Sequence, residues 1–234
     1  MKIYAIIPAR SGSKGYPDKN IKLINGKPLI GYAIDFAKKL HCDKIICSTD
    51  SLAYKSIAES LGAEVPFLRS EYASADNAME EHILQDLYDK FIENNIDLPD
   101  ILVWLRPTFL FRDANSVLDG IALLKSRDDL TAVRTICETE SRLYSLSEES
   151  KLVPSFDDMG KSMIRRQDVG IKYKVFSTDI FRFNKNNLNN TFLGNSIVGI
   201  PIDKICGLDI DDESDFMIVK SLVESNCVIV KKYL

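Results

Sequence analysis

Along this chain, runs of apolar residues alternate with stretches whose apolar positions recur at helical spacing, and that order predicts the architecture. Residues 2–8 are apolar without interruption after Lys2 and rich in β-branched and aromatic side chains, as in a strand buried on both faces. Leu29, Ala33, Phe36, Ala37 and Leu40 then mark one face of a helix with lysines on the other. Residues 44–47 read as a second strand ending in Ser48-Thr49-Asp50. Ser51 is placed to cap a helix whose apolar face is Leu52, Ile57, Ala58 and Leu61, and Gly62 stops it. Residues 65–68 predict a short strand, Glu80–Glu93 a helix through Ile83, Leu84, Leu87 and Phe91, and residues 101–105 a strand. Val117, Ile121 and Leu124 mark the next helix, and residues 130–136 the next strand.

This β-α-β-α succession predicts an α/β fold with a Rossmann-like, mainly parallel sheet and helices on both faces. From about 138 to 172 the pattern fails: the stretch is polar and holds Pro154, Gly160 and Gly170. A loop of that length inside a compact domain is functional or part of an interface, so it reads as an inserted lobe carrying short antiparallel strands. Residues 172–183, 197–202 and 204–210 return to strand character. Phe216, Val219, Leu222 and Val223 mark a last helix, and 228–230 a strand that closes the sheet. With no repeat and no linker, residues 1–234 are expected to form one domain with a lobe at about 138–172.

Composition narrows the function. At 45% hydrophobic and 27% charged residues the chain is neither disordered, collagenous nor coiled-coil. Thirty basic residues against 34 acidic ones leave a net charge of −4. Nucleic-acid binders carry a basic surplus, so none is expected as a partner and any phosphate chemistry must come from a local cluster. Five scattered cysteines without a C-x-x-C pair suit the reduced thiols of a cytoplasmic protein. The apolar N-terminus is too short for a signal peptide, and no stretch approaches the roughly 18 apolar residues of a membrane span. His41 reads as a helix-end residue and His82 as a solvated helical one.

The densest chemistry lies in Pro8-Ala9-Arg10-Ser11-Gly12-Ser13-Lys14-Gly15-Tyr16-Pro17-Asp18-Lys19-Asn20-Ile21, directly after the first strand. Ligands of open α/β sheets bind at that carboxyl edge. Glycines and serines let backbone N–H groups approach an anion, and Arg10, Lys14 and Lys19 supply charge for a triphosphate. The spacing is neither a Walker loop nor G-x-G-x-x-G; a solvated surface loop is the alternative. Asp209 and Asp211, two apart at an expected strand end, would turn both carboxylates to one face. Such hard oxygen ligands suit Mg²⁺ with substrate phosphates. Equally, D-x-D can cap the following helix, as Asp212 and Glu213 could.

The loop resembles the N-terminal signature of the CMP-sugar synthetases, cytidylyltransferases acting on sialic acid and related nonulosonic acids. Their pattern is roughly A-R-x-x-S-K-G-x-x-x-K-N, and every fixed position is met here. Ile46-Cys47-Ser48-Thr49-Asp50, the segment from Phe67 through Arg69 to Ser74, and Asp209-Ile210-Asp211 resemble further family segments. The resemblance implies a loop wrapped around the CTP phosphates. Ala9, Arg10, Ser11, Gly12, Ser13, Lys14, Asn20, Arg69 and Ser74 would then contact nucleotide, with Mg²⁺ on Asp209 and Asp211. Arg10, Lys14, Lys19 and Asp209 would serve attack of an acceptor hydroxyl on the α-phosphorus with release of pyrophosphate. A sugar-1-phosphate enzyme would carry a G-x-G-T-R-type loop instead, and a non-catalytic relative would have lost Lys14, Lys19 or the Asp pair.

Two departures bear on the acceptor. Where the family reads L-Q-P-T-S-P-L-R, this chain has Leu105-Arg106-Pro107-Thr108-Phe109-Leu110-Phe111-Arg112. An extra cation at Arg106 suits a more acidic acceptor. The family's Asn-Gly is replaced by Phe176-Ser177, after Tyr173-Lys174. Arg165-Arg166-Gln167-Asp168 resembles an R-R-Q-D segment that approaches the acceptor from the dimer lobe. Acceptor contacts are therefore expected at Arg106, Thr108, Arg165, Arg166, Gln167 and Lys174. A homodimer is implied, with an acidic sugar or related acid, such as a phosphonate, other than ordinary N-acetylneuraminic acid.

Overall fold

The computed structural model describes residues 1–189, 191–225 and 227–234. In chain order the elements are β1 (Ile3–Pro8), β2 (Leu23–Ile24), β3 (Lys27–Pro28), α1 (Leu29–Lys38), β4 (Lys44–Ser48), α2 (Leu52–Ser60), α3 (Glu71–Ser74), α4 (Glu80–Glu93) and β5 (Ile101–Trp104). There follow α5 (Ala114–Ser126), β6 (Ala132–Thr139), β7 (Tyr144–Leu146), β8 (Leu152–Pro154), α6 (Arg166–Val169), β9 (Lys172–Lys174), β10 (Asp179–Arg182), β11 (Ile197–Pro201), α7 (Glu213–Glu224) and α8 (Val228–Lys231).

The main sheet runs β11-β6-β10-β5-β1-β4. β1 is parallel to β4 and β5, and β11 is parallel to β6. Along β1 the alternation of strand side chains divides the core. Ile3, Ala5 and Ile7 pack with α1, α2 and α5, whereas Tyr4 and Ile6 pack with α4. Burial on both faces is why the strand is apolar without a break. A third cluster joins Ile24, Leu29 and Tyr32 to Phe111 and to Phe216, Val219 and Val230 of the C-terminal helices. Among the described residues, no helix is long and apolar enough to cross a membrane.

Two strands break the parallel arrangement: β10 is antiparallel to both β5 and β6, and β9 pairs antiparallel with the end of β6. The chain leaves β6, forms the lobe with its β7–β8 hairpin, and returns along β6 as β9 and then β10. Residues 172–183 are thus two strands rather than the expected one. The break falls at 175–178, where Phe176 has φ +87° and Thr178 N–H donates to the Thr135 hydroxyl.

Four other expectations are corrected. Residues 65–68 form no strand: Glu64 alone bridges to Ile46, and Pro66 has no N–H to continue the ladder. Residues 204–210 begin as a 3₁₀ turn, Lys204–Gly207, with Asp203 capping Ile205 N–H. Residues 228–230 are helical in α8 instead of closing the sheet. Leu52 is 71% exposed, so the buried face of α2 is carried by Tyr54 and Ala58, while Ser51 caps the helix as expected.

Gly120 of α5 lies against the sheet, where a Cβ would come within 2.5 Å of Ile180 and 3.2 Å of Val133. Both neighbours are fully buried. Gly120→Val is expected to lower stability by about 2–3 kcal/mol through overpacking, read from urea denaturation at unchanged m-value.

Candidate active site

Along the carboxyl edge of the sheet, the chain after β4, β1 and β5 and the turn before β10 stand side by side, because β10 runs antiparallel and so begins where its neighbours end. A cleft of about 230 Å³ opens there. Its walls bring together Arg10, Lys19, Asn20, Arg69, Arg106 and Thr108, six of the residues singled out from sequence. Glu80, Met79 and Trp104 also line it and had no local sequence signal.

The loop after β1 is held open by its own polar contacts. Ala9 N–H donates to Ser48 carbonyl at 2.9 Å. Asp50 takes both the Ser11 N–H (2.7 Å) and its hydroxyl (2.9 Å). Gly12 has φ +70°, a conformation that costs glycine nothing. Buried Asn20 donates to the Arg10 carbonyl at 3.0 Å and closes the loop from below. Gly15 sits so close to the chain after the 3₁₀ turn that a Cβ would meet the Asp211 carbonyl at 2.7 Å.

The cations of the loop already have partners. Arg10 Nη1 donates to the carbonyls of Ser74 (3.1 Å) and Ala75 (3.2 Å) and pairs with Asp76 (3.3 Å). Lys14 pairs with the other oxygen of Asp76 at 2.8 Å. Those contacts hold the Asp76 carboxyl below its usual range, the Lys14 hydrogen bond foremost. Lys19 Nζ donates to the Ile210 carbonyl at 2.6 Å and stands 4.0 Å from an Asp211 oxygen. Arg69 is buried, with Nε and Nη2 on the hydroxyl and carbonyl of Ser48; burial pulls its pKa down to about 10. It therefore stays charged at neutral pH. Ser74 keeps a buried hydroxyl without a partner next to Arg10.

Beyond β5 the extra cation is spent within the chain. Arg106 donates from Nη2 to Glu80 (2.9 Å), and from Nη1 to Asp179 (3.0 Å) and the Phe176 carbonyl (2.9 Å). The expected surplus of positive charge for an acidic acceptor is thus neutralised by two carboxylates. Beneath the turn, fully buried Arg112 donates to the Arg106 carbonyl, and burial brings its pKa down to about 9. Thr108 carbonyl accepts Ile210 N–H at 3.2 Å, which ties the acidic segment to the cleft. Lys174 Nζ lies off the cleft wall, donating to the Gly207 carbonyl at 3.1 Å.

Asp209 and Asp211 leave a loop rather than a strand end, so strand alternation does not align them. Both nevertheless border Lys19, and Asp212 alone caps α7. Asp209 is half-buried near the Thr108 hydroxyl, and its Oδ1 has no partner. Burial pushes its pKa up, with the Asp211 charge adding to the rise. The Asp211 side chain is 80% exposed. Among the described residues no three His, Cys, Asp or Glu form a cage. A free buried oxygen and an exposed carboxylate fit an ion that completes its shell with water and phosphate oxygens, as Mg²⁺ does.

Arg165, Arg166 and Gln167 are not brought to this cleft. Arg165 pairs with Asp168 on the lobe, and Arg166 with Glu138 and the Thr139 carbonyl. His82 is no solvated bystander: its Nδ1 accepts Met79 N–H at 2.8 Å and caps α4. His41, at φ +52°, lies in the turn beyond Lys39, which caps α1, and so is not the helix-end residue expected. Cys47 and Cys206 are buried free thiols, pushed up by burial to about 12.

Fold and cleft together define a nucleotide-handling α/β protein. The structure superposes on a CMP:2-keto-3-deoxy-manno-octonic acid synthetase complexed with CTP, with TM-score 0.71 over 97% of this chain and 100% of that one; at 15% identity the likeness is one of fold. Residues 4–96 match the family model of the cytidylyltransferases. N-acylneuraminate cytidylyltransferase of Escherichia coli O18:K1:H7 is 32% identical over 221 residues, 92% of this chain and 50% of that protein, so this chain spans about half its length. CMP-N,N'-diacetyllegionaminic acid synthase of Legionella pneumophila is 36% identical over 155 residues, 65% of this chain and 66% of that protein. The chain belongs to the CMP-sugar synthetase family.

Asp209 supplies a pH test. With its folded pKa raised, its contribution to stability is fully present below the unfolded value of 3.8 and is lost as pH rises through the folded value. Asp209→Asn is therefore expected to leave the melting temperature unchanged near pH 3 and to raise it at pH 7, measured in EDTA. Equal melting curves at pH 7 would show that the carboxylate carries no burial cost.

Proposed function

We propose that this protein transfers CMP from CTP to the hydroxyl of an acidic sugar of the nonulosonic class, with Mg²⁺ and with release of pyrophosphate. The observation that carries this reading is the meeting, in one cleft, of the basic loop after β1 with Arg69 and the Arg106–Thr108 turn. The names of the two relatives support the choice of CTP and of an acidic sugar.

In this reaction the acceptor oxygen forms a bond to the α-phosphorus while the bond to the bridging oxygen of the β-phosphate breaks. Catalysis is mainly positioning and neutralisation of charge on the leaving pyrophosphate. Arg10 and Lys14 exchange Asp76 for the β- and γ-phosphates, and the loop N–H groups from Gly12 to Lys14 add donors. Lys19 steadies the α-phosphate from the side of Ile210. Arg69 and Ser74 face the nucleoside. Asp209 would accept the hydroxyl proton on one carboxylate oxygen, while the other, together with Asp211, would hold the Mg²⁺. That ion supplies charge neutralisation on the phosphates.

Pyrophosphate release from CTP, with a panel of nonulosonic acids, phosphonates and sugar phosphates, tests the reaction. Release is expected with a nonulosonic acid alone, abolished by EDTA and lowered roughly a hundredfold or more in Lys14→Ala. CTP binding without release from any acceptor would refute the catalytic reading.

We further propose that the lobe pairs two copies of the chain. Leu146, Leu152, Met163 and Ile171 are exposed on it, an apolar surface unusual for a monomer. Arg165, Arg166 and Gln167 then serve the partner's acceptor pocket. Mixing Arg166→Ala chains with Lys14→Ala chains is expected to restore part of the activity, because one of the two sites in a mixed dimer is intact. No recovery, or a monomer by light scattering, would rule out the shared site.

A further inference from the structure

Asp179 is a carboxylate 1% exposed at the start of β10. The sheet register sets it opposite Arg134 of β6 on one side and Trp104 of β5 on the other, two residues before Arg106. Directly paired residues of neighbouring strands share a face, so Asp179 falls between two guanidinium groups. Arg134 Nε meets Oδ1 at 2.6 Å, and Arg106 Nη1 meets Oδ2 at 3.0 Å. Glu80 balances the second positive charge through Arg106. The cluster is neutral, and all three nitrogens of Arg106 are engaged within it.

Resting on this cluster is Phe176. Its ring lies 5.3 Å from the Arg106 guanidinium and 5.0 Å from that of Arg134, and its carbonyl accepts from Arg106. Its φ of +87° is a conformation that an aromatic residue keeps only where surrounding contacts impose it. Even so, the side chain is 48% exposed. Among the described residues, the Ser177 and Thr178 hydroxyls of the same turn are buried without partners, and across the register Trp104 Nε1 is likewise unpartnered. Unsatisfied buried groups around a strained, half-exposed aromatic ring are unusual for a purely structural turn. Counting along the sheet edge, this turn stands beyond β5, on the side away from the loop after β1.

We infer that Phe176, which lies beside the cleft wall against Arg106, is a specificity-determining residue for the acceptor, and that Arg134 and Asp179 are positioning residues that hold it there. The inference rests on the proposed reaction and deepens it. A half-exposed aromatic ring offers packing but neither donor nor acceptor. It therefore favours an acidic sugar with an apolar substituent, such as an acyl methyl group, over one that presents hydroxyls at that place. Arg106 supplies the clamp with its charge and is not free to bind the acceptor.

The test compares kcat/KM for N,N'-diacetyllegionaminate and N-acetylneuraminate in the wild type, Phe176→Asn, Arg134→Met and the double variant. The wild type is expected to prefer the first. Phe176→Asn should shift the ratio between the two roughly tenfold toward the second, while the KM for CTP stays within about twofold. Arg134→Met should raise the acceptor KM without changing the KM for CTP, and the double variant should be no worse than Phe176→Asn alone. A purely structural role predicts instead that both KM values change together or that the two substitutions add. Release by the wild type with an unchanged ratio in Phe176→Asn overturns the inference but leaves the reaction standing. No release by the wild type overturns both. Phe176→Leu, which keeps an apolar side chain, is expected to retain the wild-type preference and guards against a mere folding defect.

Discussion

A charge removed from water must be compensated where it lies, and Asp179 shows how much of this architecture follows from that requirement. The carboxylate is enclosed by sheet and turn, and among the described residues only the two arginines offset its lost hydration. Removing one partner of such a buried pair costs about 3–5 kcal/mol. One arginine comes from β6 and the other from the turn after β5, the two neighbours of β10, and Arg106 also reaches Glu80 at the start of α4. One charge thus fastens the antiparallel wedge into the sheet, fixes the entrance of α4 and sets the path of the 175–178 turn. The cleft inherits its far wall from that fastening.

Much of the fold could be read from the chain because strands buried on both faces leave a plain record. β1, β4, β5 and the helices α1, α4 and α7 follow from apolar runs and helical spacing alone. What stayed hidden depends on contacts between distant residues. The 3₁₀ turn that opens 204–210 has one local sign, the Asp203 cap, and is otherwise fixed by packing on β6. The reversal of β10 has no local signal either, because direction is decided by the route through the lobe.

The site divides the same way. Arg10, Lys19 and Asn20 share one short segment and could be recognised together. Asp76, Glu80, Arg134 and Asp179 join the site only through tertiary approach. Asp179 left one trace that periodicity ignores, a lone carboxylate just ahead of the apolar pair Ile180-Phe181. Arg106 was visible as a departure, but its role could not be read from charge alone, since two carboxylates far along the chain consume that charge.

Asp76 gives the loop after β1 a resident anion. In the proposed reaction a polyphosphate would not meet bare cations; it would trade places with a carboxylate bound to Arg10 and Lys14. Trading one anion for another sheds fewer small ions from solution than neutralising free charges does. Affinity should accordingly depend less on ionic strength than a count of basic side chains implies. The same exchange would free the chain at Ser74–Asp76 from its ties to the loop, so that the arrival of a ligand would be felt at the head of α4 as well as in the loop itself.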